Sequence, residues 1–162
     1  MIKKIATYRF ILLFSLLSVL IMGFIFSNSL QDSASSNSVS DSVASGVKPL
    51  VDPSEKIDLP QFQIIIRKLA HAIEFCALGA SLGGLMYSIH RAEKQRCRVF
   101  MILFWALGTA TADEYIQSFT GRTSSVEDIL IDFSGAVVGI ILASLAVIVT
   151  NKIRRNTARK RG

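Results

Sequence analysis

The stretch from Ile64 to Ile89 reads IIIRKLAHAIEFCALGASLGGLMYSI, and it decides the fold. At about 1.5 Å per residue, a helix of this length reaches about 39 Å, more than the roughly 30 Å hydrocarbon core of a bilayer. Its first third nevertheless carries Arg67, Lys68, His71 and Glu74. Ionisable groups inside a membrane span are expensive, so each marks a functional site by default.

Three more apolar stretches flank it, Ile5 to Phe26, Val99 to about Phe119, and Ile129 to Val149. Since a crossing takes about 20 mainly apolar residues, the expected fold is an all-α integral membrane bundle of four transmembrane helices. The 162 residues are 51% hydrophobic, too apolar for a soluble domain of this size, and form one domain. The expected helices run over about 5–26, 64–89, 99–119 and 127–149. They are joined by a polar segment 27–63 and a loop 90–98, with a tail at 150–162. Lys3, Lys4 and Arg9 lead the first run as in a signal peptide, but the run is longer than an h-region and no small-x-small site follows. It reads as an uncleaved first helix.

Charge orients the bundle. Arg91, Lys94, Arg96 and Arg98 crowd the middle loop, and Lys152, Arg154, Arg155, Arg159, Lys160 and Arg161 the tail, while 27–63 carries Asp32, Asp41, Asp52, Glu55 and Asp58 against Lys48 and Lys56. The positive-inside rule then places both termini and the middle loop in the cytoplasm, N-in and C-in, and 27–63 outside. The net charge of +6 is explained by these anchors, aided by anionic lipid, and no nucleic-acid partner is expected because no aromatic interleaving or binding motif accompanies them. Cys76 and Cys97 fall at different levels and read as free thiols.

Segment 27–63 is rich in Ser, Asn, Asp and Gly and includes Pro49, Pro53 and Pro60. Val39, Val43 and Val47 stand at helical spacing, as in a short interfacial amphipathic helix; a linker without fixed structure fits the serine content equally well.

The ionisable residues form three clusters. At about 100° per residue, Arg67, His71 and Glu74 share one stripe with Lys68 on its flank. Asp113, Glu114 and Gln117 lie near the end of the third span. Asp128 and Asp132 share a face of the fourth, which Gly135 and Gly139 continue. The short connection before that span contributes Arg122, and Glu127 stands at the start of the span. Under the topology above, all three clusters meet at the outer end. Glu74, Asp113, Glu114, Glu127, Asp128 and Asp132 outnumber Arg67, Lys68 and Arg122, six carboxylates to three cations. The excess must be solvated, protonated or matched by a ligand, which points to a wet, outward-open polar pocket. Gly79 and Gly83, like Gly135 and Gly139, form GxxxG pairs that let helices of one bundle approach closely.

The string Arg67-Lys68-Leu69-Ala70-His71-Ala72-Ile73-Glu74-Phe75, the run from Ala112 to Phe119, the turn Gly121-Arg122 and the run from Asp128 to Ala136 together resemble the VanZ-like family of small bacterial membrane proteins. The resemblance covers about residues 64 to 145, the preceding helix and its Ser-rich sequel. Thr120 stands where a Pro often precedes the Gly-Arg turn, and Ser124 and Ser125 lead into an extra acidic Glu127. The resemblance implies a multi-pass protein of the bacterial cytoplasmic membrane and, from the founding member, a link to teicoplanin and hence glycopeptide resistance. It implies no reaction.

Three function classes remain. The first is a binding protein of the cell envelope whose ligand site comprises Arg67, Lys68, His71, Glu74, Asp113, Glu114, Gln117, Arg122, Asp128 and Asp132. Its partners are membrane lipids, a lipid-linked wall precursor or a glycopeptide. The second is a membrane hydrolase or transferase, with His71, Glu74 and Asp113 as candidate catalytic groups. A small transporter is third, because transport sites sit near the midplane rather than at one end. Imidazole and carboxylates at His71, Glu74, Asp113 and Asp132 suit a metal, but their spacing matches no ligand motif such as HExxH, so neither a metal nor a cofactor is expected. Ser118, Ser124 and Ser125 stand outside any nucleophile elbow.

Overall fold

The computed structural model describes the chain except residues 1, 32, 53, 55, 94–98, 122–123 and 162, and except the side chains of 2–7, 33–40, 92–93 and 160–161. Five helices follow one another: α1 (Ile2–Ser29), α2 (Ser33–Val51), α3 (Leu59–Glu93), α4 (Val99–Ser118) and α5 (Val126–Arg161). Four hold spans long and apolar enough to cross a bilayer: Tyr8–Ser29, Leu59–Arg91, Val99–Ser118 and Val126–Arg159. The surface is inverted relative to a water-soluble protein. Phe100 is 87% exposed and Leu12, Phe104, Trp105 and Leu142 stand outward, whereas Asp113 and Asp132 are 0% and 2% exposed. Lipid tails solvate such an apolar exterior, and backbone groups bonded within helices are what they tolerate. This is an all-α, multi-pass membrane bundle.

α3 is the central helix, packing chiefly against α5 and then α1. α3 and α5 run parallel, and glycine permits their contact. A Cβ on Gly135 would collide with the Ala72 carbonyl, one on Gly139 with the Cys76 carbonyl, and one on Gly79 with the Ala136 carbonyl. Both GxxxG pairs thus serve packing within this chain. On the α1 side, the hydroxyls of Ser18 and Ser81 bond at 2.9 Å, and a core of Ile25, Phe75, Leu78, Leu82, Ala106, Ala110 and Ala136 fills the bundle.

The elements run longer than the apolar stretches. α3 begins at Leu59, with Pro60 in its first turn, where proline's missing N–H costs no helical bond. α5 continues without a break into the basic tail. Segment 27–63 contains a defined helix, α2, which packs on α3. Among its described side chains the buried one is Ala44, flanked by half-buried Val47 and Lys48, while Val43 is exposed. The buried stripe is therefore turned one residue from the expected valine stripe; the Val39 side chain lies outside the described residues. Small Ala44 allows close approach where a valine would hold α2 away. At the α2–α3 corner, Asp52 accepts the Lys56 and Ile57 amides at 3.1 and 2.8 Å. These amides, Ile57 foremost, hold its carboxyl below the usual carboxylate range.

Candidate functional site

The polar residues gather where α1 and α4 end and α5 begins, about two turns into α3. α5 starts on Ser125, whose hydroxyl accepts the Asp128 amide at 3.1 Å and donates to the Asp128 carboxylate at 2.7 Å. This is an N-cap, and it fixes where Asp128 points. The Ser125 amide in turn donates to Glu114 Oε2 at 3.0 Å, tying the start of α5 to α4. Gly121, at φ 73°, makes the turn out of α4, a left-handed conformation that favours glycine.

Asp128 carries the contact between α5 and α3. Lys68 Nζ lies 2.9 Å from Asp128 and 3.4 Å from Glu127. One layer further in, Asp113 sits wholly buried between helices: Ser29 of α1 donates to its Oδ1 at 2.6 Å and Gln117 to its Oδ2 at 2.7 Å. Gln117 also donates to Ser29 at 3.3 Å. His71 Nδ1 stands 3.8 Å from Asp113 Oδ2. Asp132, 2% exposed, faces the same space from α5.

A cavity of about 30 Å³ opens among Arg67, Lys68, His71, Glu114, Gln117, Asp128, Ile131 and Asp132. That volume holds a water or two or a single small ion. Most of the clustered carboxylates have donors inside the bundle. Glu74 keeps its place on the stripe but does not line the cavity: its Oε1 accepts from Asn28 of α1 at 2.9 Å. Arg122 lies outside the described residues, as does Cys97; Cys76 is a free, half-buried thiol.

Sequence reasoning passed over Asn28 and Ser29, and weighed Ser125 only as a nucleophile. The first two end the apolar run of α1 as Ser27-Asn28-Ser29, which reads as the start of a loop. Their signal is the level: a polar triplet closing a span at the depth of buried carboxylates is placed to solvate them. The sequence put His71, Asp113 and Asp132 among metal-compatible groups; only the fold shows that one ligand atom of each comes within 4.8 Å of the others, from three different helices.

A family model described as VanZ/LLP1 matches residues 14–148. The chain belongs to the VanZ/LLP1 family. The matched region holds all the site residues just described. No curated protein and no solved structure matches the chain. In this VanZ/LLP1 protein, then, a half-buried imidazole, two cations and the carboxylates of Glu114, Asp128 and Asp132 line one small cavity, with buried Asp113 close to His71 and Asp132. Such a set can bind a charged group or move a proton between His71 and Asp113.

Proposed function

We propose that this VanZ/LLP1 protein binds the anionic head group of a lipid-linked envelope molecule through the cavity beside Arg67 and Lys68, with that end of the bundle facing outward. The observation that carries the reading is how charge is distributed at the cavity. Glu74, Asp113, Glu114 and Asp128 each have a donor of their own. Arg67 lines the cavity and forms no salt bridge among the described residues. A guanidinium in that position suits a phosphate, which it can grip with two parallel bonds. At about 30 Å³ the cavity admits only a small polar tip, so the rest of the ligand lies along the apolar exterior. The outward orientation rests on the basic Arg91, Lys152, Arg154, Arg155 and Arg159 near the opposite end. Binding of a wall precursor at the outer leaflet is a route to glycopeptide tolerance, teicoplanin included.

The test uses the full chain in nanodiscs with a polyprenyl pyrophosphate as probe. Arg67→Glu should weaken binding at least about tenfold, the cost of placing a like charge against a phosphate. Unchanged affinity contradicts the reading. His71 beside Asp113 favours a second reading, a hydrolase or transferase acting on the same class of lipid. In that case His71→Gln should abolish turnover of the probe while leaving its affinity in place.

A further inference from the structure

Helices α3, α4 and α5 bring His71, Asp113 and Asp132 together so that each offers one ligand atom and the three atoms lie within 4.8 Å of one another. We propose that this trio binds one divalent transition-metal cation of the zinc or manganese class. Three atoms so placed share a point no more than about 2.8 Å from each. Adjustments of less than about 1 Å then reach the bonds of about 2.0–2.2 Å that such ions make with imidazole and carboxylate.

A second observation points the same way. Asp132 is 2% exposed, lines the cavity, and makes no hydrogen bond or ion pair among the described residues. A carboxylate buried without a protein donor is costly to keep charged, and a cation supplies a partner. Asp113 is already held as metal-ligating carboxylates are: Ser29 and Gln117 grip its two oxygens and fix its plane. One imidazole with two carboxylates is a borderline donor set. It disfavours soft cuprous ions, which prefer sulfur, and suits zinc or manganese. The adjoining cavity of about 30 Å³ has room for water to complete the coordination shell. A charge of +2 also balances Asp113 and Asp132, which face each other across the same space while Lys68 is engaged by Asp128 and Glu127.

Two of its ligands, His71 and Asp132, line the proposed head-group cavity, but the metal site stands without that reading, since the test uses the metal alone. The full chain in phosphatidylcholine nanodiscs is titrated with manganese chloride and followed by electron paramagnetic resonance, with spin-echo modulation reporting any coordinated nitrogen. The expected result is one manganese per chain and a nitrogen coupling that disappears in His71→Gln. It should persist in His90→Gln, the chain's other histidine. Asp132→Asn, close to isosteric, should weaken binding at least about 100-fold and Ser29→Ala, which leaves all three ligands in place, about 10-fold. Failure of the wild-type chain to bind stoichiometrically overturns the proposal, as does a nitrogen coupling that survives His71→Gln. So does an infrared band of a protonated carboxylic acid, present with manganese added and lost in Asp132→Asn, because the carboxyl would then be satisfied by a proton.

Discussion

Asp52 shows how a single side chain sets a corner of this molecule. Its carboxylate accepts the Ile57 and Lys56 amides, so the folded chain favours the ionised form and its pKa falls below the ordinary 3.8. The stabilisation is therefore fully present above about the ordinary value and is lost as pH falls through the lower folded value. In amide spectra of detergent-solubilised protein, the Ile57 and Lys56 resonances should move together with a midpoint below 3.8, and Asp52→Asn should abolish the movement. A midpoint at or above 3.8 would contradict the capping role. The same scale shows what the sequence could reveal. Asp113 and Asp132 stand out because a carboxylate in an apolar run is costly and needs a partner, structural or functional. Asn28, Ser29 and Ser125 do not stand out, because neutral polar residues at a helix end are ordinary. Only the fold reveals that Asn28 donates to Glu74, Ser29 to Asp113, and the Ser125 amide to Glu114.

At the scale of the helices, the α3–α5 seam depends on backbone approach that a methyl group would block. Gly139→Ala places a Cβ against the Cys76 carbonyl and the Ala80 amide. It should destabilise the protein by about 1–3 kcal/mol through overpacking. Gly108→Ala is the control: nothing lies within 4 Å of the added atom, so the effect should range from neutral to about 1 kcal/mol stabilising. Reversible unfolding in mixed micelles compares the two, and equal effects would refute this account of the seam. Here the sequence was informative about which stretches are helical and less so about where they stop. Apolar length detects the part of α3 inside the bilayer. Its first turn starts at Leu59, and α2 packs on α3, a contact that hydropathy does not register. α2 was ambiguous for a related reason: serine is a poor helix former, and the choice between helix and linker is made by the seat that α3 offers Ala44.

For the whole molecule, the excess of basic residues at one end predicts that both termini face the cytoplasm. With Cys76 and Cys97 replaced, an impermeant thiol reagent on intact cells should label a cysteine placed at Ser42 and spare one at Asn156; the reverse pattern would put the polar cavity on the inner side. The four-span bundle was legible because lipid imposes a length and a composition on every crossing. The narrowness of the cavity was not, since it depends on how completely Ser29, Gln117, Asn28 and Lys68 satisfy the carboxylates from neighbouring helices. The central claim is that this cavity, and no other face of the bundle, receives an anionic head group. Its most direct test is photo-crosslinking with a polyprenyl pyrophosphate bearing a diazirine beside the phosphate, in nanodiscs, with adducts mapped by mass spectrometry. The account predicts adducts confined to residues 67–71 and 128–132 and lost in Arg67→Glu; adducts concentrated instead beside Arg91 and Arg154, or spread along the exterior, would contradict it.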